Sequence, residues 1–243
     1  MKEEKLNYKI TIITIVYNSA QTLEQCIISV LGQTYQNIEY VVIDGGSTDG
    51  SIDIIKKYEH KVSKWISEKD AGIADGFNKG IKLATGDLIG IINADDWFES
   101  DAVETIVGNL NNSQVYCGNI NLVSEKGDII VRKSKVSWLN YGMYVMHPSV
   151  FVKRTVYESV GLFDVNLKIA MDFDLFLRIK KKGYNICYID KVIANMRTGG
   201  KSSDTVSMHK EELAVMKAHL SLGQYILSAL FNYANRIIRK VLY

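Results

Sequence analysis

Proline is almost missing from this chain: Pro148 is the single one in 243 residues. A proline-rich spacer between domains is thereby excluded, and no low-complexity linker takes its place. Cysteine is scarce as well. Cys26, Cys117 and Cys187 are odd in number and show no Cys-x-x-Cys spacing. That argues against a disulfide framework or a zinc site and suits buried thiols in a reducing compartment. No apolar run reaches about 18 residues, the length that would predict a membrane-spanning helix. Residues Met1 to Tyr8 are charged and lack an apolar core, so no signal peptide is expected. A formal net charge of +2 gives no general electrostatic case for a nucleic-acid partner. What remains is an ordinary globular composition, 47% hydrophobic and 23% charged, long enough for one large α/β domain or two small ones.

The apolar segments alternate in period. Lys9 to Val16 is nearly all apolar and β-branched and reads as a central parallel strand buried on both faces. Asn18 or Ser19 can cap the helix that follows, whose Leu23, Ile27, Val30 and Leu31 fall at helical spacing before Gly32. Glu39 to Ile43 is a second strand, broken by Asp44-Gly45-Gly46-Ser47-Thr48-Asp49-Gly50. A helix carrying Ile52, Ile55 and Tyr58 comes next. Val62 to Ser67 is a weaker strand, and 71–84 reads as a helix despite Gly72, Gly76 and Gly80. Leu88 to Ile92 is the fourth strand. Strands and helices joined by short connections predict βαβ units and a mostly parallel sheet.

The second part reads differently. Val115 to Val123 and Ile129 to Arg132 predict a hairpin, and Ser149 to Val152 another strand. Ala170 to Ile179 is a helix that ends well on Lys180-Lys181-Lys182-Gly183. Tyr188 to Met196 is a last strand, and from about Thr205 the chain reads as helical to Tyr243.

One stretch carries chemistry on its own. The fourth strand runs directly into Asn93-Ala94-Asp95-Asp96-Trp97. Open α/β sheets bind ligands just past the carboxyl ends of their strands. Adjacent carboxylates repel, so a fold that brings them together commonly supplies a cation, and hard oxygen ligands suit Mg²⁺ or Mn²⁺. Taken alone, these residues also read as a polar loop capping the next helix. Asp44 likewise sits at a strand's carboxyl end. Its glycine-rich surroundings match neither the GxGxxG nor the Walker A pattern.

Several segments together resemble family 2 glycosyltransferases. They are Ile13 to Asn18, Val42 to Ser51, Ser67 to Ile73, Asn78-Lys79-Gly80, Ala84 to Asp87, Asn93 to Asp96 and Met171 to Arg178. The resemblance covers roughly residues 9–205. It implies a GT-A fold: an α/β, Rossmann-like nucleotide-diphospho-sugar transferase with a mostly parallel central sheet, here followed by a C-terminal helical tail. The implied organisation is a transferase domain over 1–204, with a nucleotide-sugar half at about 9–112 and an acceptor half at about 113–204, then the tail at 205–243. The implied activity is inverting transfer of a sugar from a nucleotide-sugar donor, commonly a UDP-sugar, to a hydroxyl of a glycan or lipid-linked acceptor. Such a role fits cell-surface polysaccharide or lipopolysaccharide synthesis.

By the same resemblance Tyr17, Asn18, Asp44, Asp70 and Lys79 contact the nucleotide. Asn93 and Asp95 match the family's DxD element, with Asn93 in place of the first aspartate. The metal role, Mn²⁺ or Mg²⁺, then rests on Asp95 and Asp96, with His147 as a further candidate ligand or acceptor contact. Asp172 matches the catalytic base, with Asp174 as a nearby decoy. Gly199 to Ser203 resembles a loop near the donor diphosphate. Trp97 is expected to pack behind the acidic turn, and Trp138, Tyr141 and Tyr144 are candidate acceptor-stacking rings whose default is burial.

Two other functions stay open at this stage. A sugar-phosphate nucleotidyltransferase would also use an α/β sheet and a divalent ion, but no basic, glycine-rich triphosphate loop follows the first strand. A non-catalytic nucleotide-sugar-binding subunit would not need the full Asp44, Asp95, Asp96 and Asp172 set. In the tail, Ile226, Leu227, Leu230, Phe231, Ala234, Ile237, Ile238 and Val241 share one broad face, away from Arg236, Arg239 and Lys240. That face suits an anionic membrane surface, a second copy of the chain, or the chain's own domain. The expected location is cytoplasmic, at the inner membrane face.

Overall fold

The apolar run at 9–16 becomes β1 (Ile10–Val16), and its two sets of alternating side chains enter two different cores. Ile10, Ile12 and Val16 point to one face of the sheet and Ile13 to the other, which is why the run has no polar alternation. The computed structural model describes residues 7–199 and 205–242.

β1 lies between β2 (Ile38–Asp44) and β4 (Leu88–Asn93) and is parallel to both. β3 (Lys64–Ser67) extends the parallel part beyond β2. The register places Val16 opposite Asp44, Asp44 opposite Ser67, and Ile15 opposite Asn93. Every parallel strand therefore ends along one edge, and the polar residues that end them meet there.

The sheet continues without interruption into the second half. β8 (Val150–Lys153) pairs antiparallel with β4, and β6 (Val115–Val123) pairs antiparallel with β8. β9 (Ile186–Arg197) runs parallel to β6, and the expected hairpin forms between β6 and β7 (Ile129–Arg132). The two-residue β5 (Trp97–Phe98), which has no readable period, pairs antiparallel with β9 and ends the order β3-β2-β1-β4-β8-β6-β9-β5.

Helices cover both faces. On one face α1 (Leu23–Leu31), α2 (Ser51–Tyr58) and α4 (Ala102–Gly108) contribute Leu23, Ile27, Ile55, Val103 and Ile106. On the other, α3 (Ile73–Leu83), α5 (Arg154–Val160) and α6 (Met171–Lys181) contribute Phe77, Ile81, Val156, Leu175 and Phe176. The glycines that weaken α3 as an isolated helix explain its position. A Cβ at Gly80 would stand 2.4 Å from Ile13 Cγ2, so glycine lets α3 lie directly on β1.

The tail departs from expectation in two ways. It is two helices, α7 (Thr205–His219) and α8 (Leu222–Leu242), broken at Leu220-Ser221. Ser221 and Gln224 explain the break: the Ser221 N–H and hydroxyl both donate to Gln224 Oε1, a variant of the capping box that starts a new helix. Only part of the broad apolar face of α8 is docked. Phe231 packs on Tyr141 and Trp138 with ring centroids 4.7 and 5.3 Å apart, and Ser228 is buried. Leu222, Ile226, Leu227 and Leu230 face outward, 48–75% exposed. The side chains of Arg236, Ile237, Ile238, Arg239, Lys240 and Val241 lie outside the described residues.

A buried carboxylate ties the opposite edge of the sheet. Glu39 in β2 accepts hydrogen bonds from Thr11 Oγ1 (2.7 Å), Thr85 N (2.7 Å), Thr85 Oγ1 (2.8 Å) and Lys9 Nζ (3.3 Å). Burial works to raise its pKa, but these donors outweigh burial and hold it at about 2. A depressed folded pKa contributes stability that is complete above the unfolded value near 4.5 and is lost as pH falls toward 2. Glu39→Gln should therefore lower unfolding free energy at pH 7 by about 1–3 kcal/mol. Urea titrations from pH 7 to pH 2.5 should show the gap to the parent narrowing below pH 4.5; a constant gap would show that Glu39 does not titrate as described.

Candidate active site

The acidic turn after β4 is held by the last strand. Because β5 pairs Trp97 with Asn195, β9 runs on to set Arg197 beside Asp96. Arg197 N donates to Asp96 Oδ1 at 3.1 Å. The Arg197 guanidinium donates to the Asp95 main-chain oxygen and to Gln25 Oε1. It also stacks on the Trp97 ring, 4.6 Å from its centroid. Trp97 thus packs behind the turn as expected, clamped by a cation that sequence reading did not single out.

Asp96 is 1% exposed. Burial, then the neighbouring charge of Asp95, pushes its carboxyl well above the ordinary carboxylate range, against the pull of Arg197. Asn93 Oδ1 and Asp96 Oδ2 are both buried with no hydrogen-bond donor. Two orphaned oxygens at one strand end are the acceptor chemistry a hard divalent cation takes, so these residues fit such an ion. Among the described residues, however, no three His, Cys, Asp or Glu side chains converge as a ready cage. His147 in particular does not join Asp95 and Asp96; it stands beside Asp172 instead.

Asp172 enters from the second half. It is the second residue of α6, where the partial positive charge of a helix start favours a carboxylate. The start of α6 is fixed from outside. Glu211 of α7 accepts the N–H groups of Lys168 (3.1 Å), Ile169 (2.8 Å) and Ala170 (2.9 Å), which the sequence reading missed. Asp172 Oδ1 is buried and has no hydrogen-bond partner. His147 stands beside it, with Nε2 3.6 Å from Oδ1. Burial raises the Asp172 carboxyl and His147 works in the opposite direction. His147 is itself stacked on Phe77, centroids 5.1 Å apart. Asp174, two residues on, is fully engaged: Arg178 Nε stands 2.9 Å away and His219 Nε2 2.7 Å away. Asp172 is the free carboxylate of the pair.

Both carboxylate groups open on one cleft of about 1470 Å³. Tyr17, Asn18, Asn93, Asp95 and Asp96 line it from one half, and His147, Asp172 and Arg197 from the other. Asn18 adopts a left-handed backbone (φ 48°), which asparagine tolerates. Its N–H donates to Ser47 Oγ at 2.8 Å and its Oδ1 accepts Thr48 N at 2.9 Å, locking the loop after β1 to the loop after β2.

Three expected nucleotide contacts do not line this cleft. Asp44 is fully buried and organises its own loop, accepting Ser67 Oγ (2.7 Å), Gly46 N and Ser47 N (both 3.1 Å). Asp70 lies against Gly45, where a Cβ would come within 2.4 Å of Asp70 Oδ2. Lys79 is paired with Glu68 (2.9 Å) and Asp75 (3.4 Å). Of the candidate stacking rings, Trp138 packs on Tyr144 and Phe231, while Tyr141 and Tyr144 also reach the cleft. Gly199 closes the described part of the second half, and Gly200 to Ser203 lie outside the described residues.

Comparison with known proteins identifies the family and the fold. Residues 11–164 match the family described as Glycosyl transferase family 2. Glycosyltransferase GlyA of Streptococcus pneumoniae is 32% identical over 181 residues, which is 72% of this chain and 24% of that relative. A Mycobacterium bovis PGL/p-HBAD biosynthesis glycosyltransferase is 25% identical over 249 residues, covering 96% of this chain and 93% of the relative. The chain thus spans about a quarter of one relative and nearly all of the other. Staphylococcus aureus TarS 1–349, solved in complex with UDP-GlcNAc, superposes with a TM-score of 0.71 at 17% identity, over 93% of this chain and 71% of TarS. The Pyrobaculum calidifontis mannosyltransferase PcManGT, solved with GDP-Man and Mn²⁺, gives 0.64 at 18%, over 92% of this chain and 64% of that one. These two likenesses show the fold.

The unpartnered Asp172 makes a stability prediction. A carboxyl whose folded pKa is raised destabilises the fold above that pKa, and the penalty is relieved as pH falls through it. Asp172→Asn keeps the shape and removes the charge. It should raise stability at pH 8 by about 0.5–2 kcal/mol. In thermal melts that gain should shrink steadily toward pH 4; a gain independent of pH would show that Asp172 is not a strained carboxylate.

Proposed function

The chain belongs to glycosyl transferase family 2, and from that membership we propose that it moves a sugar, with inversion, from a UDP-sugar to the hydroxyl of a glycan or lipid-linked acceptor. The observation that carries this reading is the position of Asp172. It is a buried carboxylate with an unused oxygen, facing the same cleft as the carboxylates at the end of β4. The complexes of TarS with UDP-GlcNAc and of PcManGT with GDP-Man support a nucleotide-sugar donor.

The chemistry follows from the residues. An acceptor hydroxyl is a weak nucleophile, so it needs a base at the moment of attack. Asp172 takes its proton as the hydroxyl oxygen bonds to the anomeric carbon. The bond from that carbon to the nucleoside diphosphate breaks on the opposite side, and the configuration inverts. The raised pKa of Asp172 brings its proton affinity closer to that of the group it serves. His147, 3.6 Å away, holds the carboxylate in place and limits the rise.

At the donor end Asp95 and Asp96, with the Asn93 amide oxygen, would hold Mn²⁺ or Mg²⁺. When bound, that ion offsets the charge growing on the departing diphosphate. Arg197 is the chain's own cation at this place; it orients the acidic turn and opposes its charge. Tyr17 and Asn18 receive the nucleoside at the cleft mouth. Asp44, Asp70 and Lys79, the further nucleotide contacts in this reading, shape the loops behind it.

The proposed setting is cell-surface polysaccharide or lipopolysaccharide synthesis in the cytoplasm, at the inner membrane face. Among the described residues no helix is long and apolar enough to cross a membrane. The exposed side of α8 is the contact with the lipid surface in this reading, or with a second copy of the chain.

A two-part experiment tests the assignment. In thermal-shift titrations UDP-sugars with Mn²⁺ should stabilise the protein, by about 2.7 kcal/mol at a hundredfold excess over Kd. Asp96→Asn should weaken that response. Asp172→Asn should retain donor binding while transfer to acceptor falls about 10²–10⁴-fold. Pyrophosphate release from NTP and sugar phosphate would instead indicate a nucleotidyltransferase. Full transfer by the Asp172→Asn variant would remove Asp172 as the base.

A further inference from the structure

The fold leaves one strand edge open. β8 pairs with β6 only as far as Cys117, and beyond that point β7 takes its place, pairing Arg132 with Ile120 and Ile129 with Val123. Among the described residues no strand lies on the far side of β7. Its sequence does little to protect that edge. Ile129, Ile130 and Val131 are 61, 58 and 51% exposed, and neither a proline nor a register shift interrupts them. An exposed apolar edge strand is a template for another strand, and folded proteins usually blunt it.

The neighbours of β7 show which way its free hydrogen-bonding groups point. At the turn end Ser124 N donates to Asp128 O, so 124 and 128 form a hydrogen-bonded pair. Antiparallel ladders alternate. The pairs 122/130 and 120/132 are then hydrogen-bonded as well, and the main chain of Ile129 and Val131 turns away from β6. Val123 agrees with this: its carbonyl accepts Thr198 N on the β9 side. The N–H and C=O groups of Ile129 and Val131 therefore face outward from an exposed strand.

We propose that β7 pairs antiparallel with the β7 of a second copy of this chain, about a two-fold axis at Ile130. In that register Ile129 stands opposite the partner's Val131, and every outward N–H and C=O of these residues finds its complement. Asp128 stands opposite the partner's Arg132 on each side of the axis, on the same face as the Ile130 pair. Neither Asp128 nor Arg132 enters an ion pair among the described residues, whereas Lys133 is held by Asp190. An axis at Ile129 would set Asp128 against Ile130, and an axis at Val131 would set Arg132 against Ile130. Only the axis at Ile130 matches charge with opposite charge. That self-complementarity favours a second copy over an unrelated extended peptide. A four-residue strand makes a contact well below the roughly 800 Å² per partner of a standard interface, so the dimer is reversible, with a Kd on the order of 10 µM. Val131 and Arg132 also line the cleft, so the pairing braces one wall of it in each copy. The proposal goes beyond the glycosyltransferase reading and does not depend on it.

Sedimentation velocity of the full chain from about 1 to about 200 µM should show monomer giving way to dimer. Val131→Pro removes an outward N–H and no bond to β6, so it should abolish the dimer throughout that range. The charged pair decides the matter if this variant does not fold. Asp128→Arg and Arg132→Asp should each weaken dimerisation about tenfold, because each sets like charges opposite one another. An equal mixture of the two variants should recover the parent's affinity, since every such cross-strand pair is again Arg against Asp. Misfolded variants could not rescue each other in this way. A parent chain that stays monomeric across the range overturns the proposal. So does a dimer that survives both Val131→Pro and the charge reversals, which would place the contact elsewhere on the chain, and so does a mixture no tighter than its components.

Discussion

Asp96 is a carboxylate that the fold buries next to another carboxylate, and most of the site's architecture is a response to that. Desolvation and the neighbouring Asp95 charge both disfavour its ionised form. The opposing force comes from Arg197, about a hundred residues away in sequence, and it reaches the turn only because β9 is long enough to pair first with β6 and then with β5. The two-residue β5 matters out of proportion to its length. It sets the register that puts Arg197, rather than a neighbour, against Asp96. Even so, Asp96 Oδ2 and Asn93 Oδ1 stay without donors. An incompletely satisfied polar cluster is costly in a core and useful where a charged ligand completes it.

The second carboxylate is positioned by the same logic with different parts. Asp172 is held by its helix, and that helix is held by Glu211, which takes three backbone N–H groups at its start. Asp174, bridging Arg178 and His219, ties α6 to the segment before it and to the end of α7. The tail helix α7 is therefore part of the frame that aims Asp172, and not an appendage to a finished domain. Phe173 and Leu177 packing on Val215 and Met216 makes the same joint in apolar terms.

What was legible in the chain follows from which signals are local. β1, β2 and β4 stand out because strands buried on both faces are continuous apolar runs, and the carboxyl ends of such strands are where ligands bind. Asp95, Asp96 and Asp172 were singled out, the last only through resemblance. Helical spacing alone cannot separate Asp172 from Asp174; the difference is that Asp174 is hydrogen-bonded by two side chains while Asp172 Oδ1 accepts no hydrogen bond. Arg197, Glu211 and His219 were missed because their meaning is a contact made across the fold. Which part of the apolar face of α8 docks was not readable for a related reason. Apolar periodicity tells which side of a helix is greasy, but Phe231 and Ser228 dock it while the leucines stay outside. The Ser221–Gln224 cap, by contrast, was a readable local signal.

Asn93 sharpens the point about charge. The turn already holds two carboxylates and one guanidinium within a few residues of one another. A third carboxylate at position 93, beside a buried Asp96, would leave the turn with more negative charge than Arg197 can oppose, and Asp96 would be driven further toward its protonated form. A neutral amide keeps an oxygen at the strand end without adding to that repulsion. The consequence for a bound cation is a smaller electrostatic attraction with the oxygen count preserved. The ion, in the proposed function, would then be held more by the diphosphate it serves than by the protein alone, and its affinity should follow the donor's.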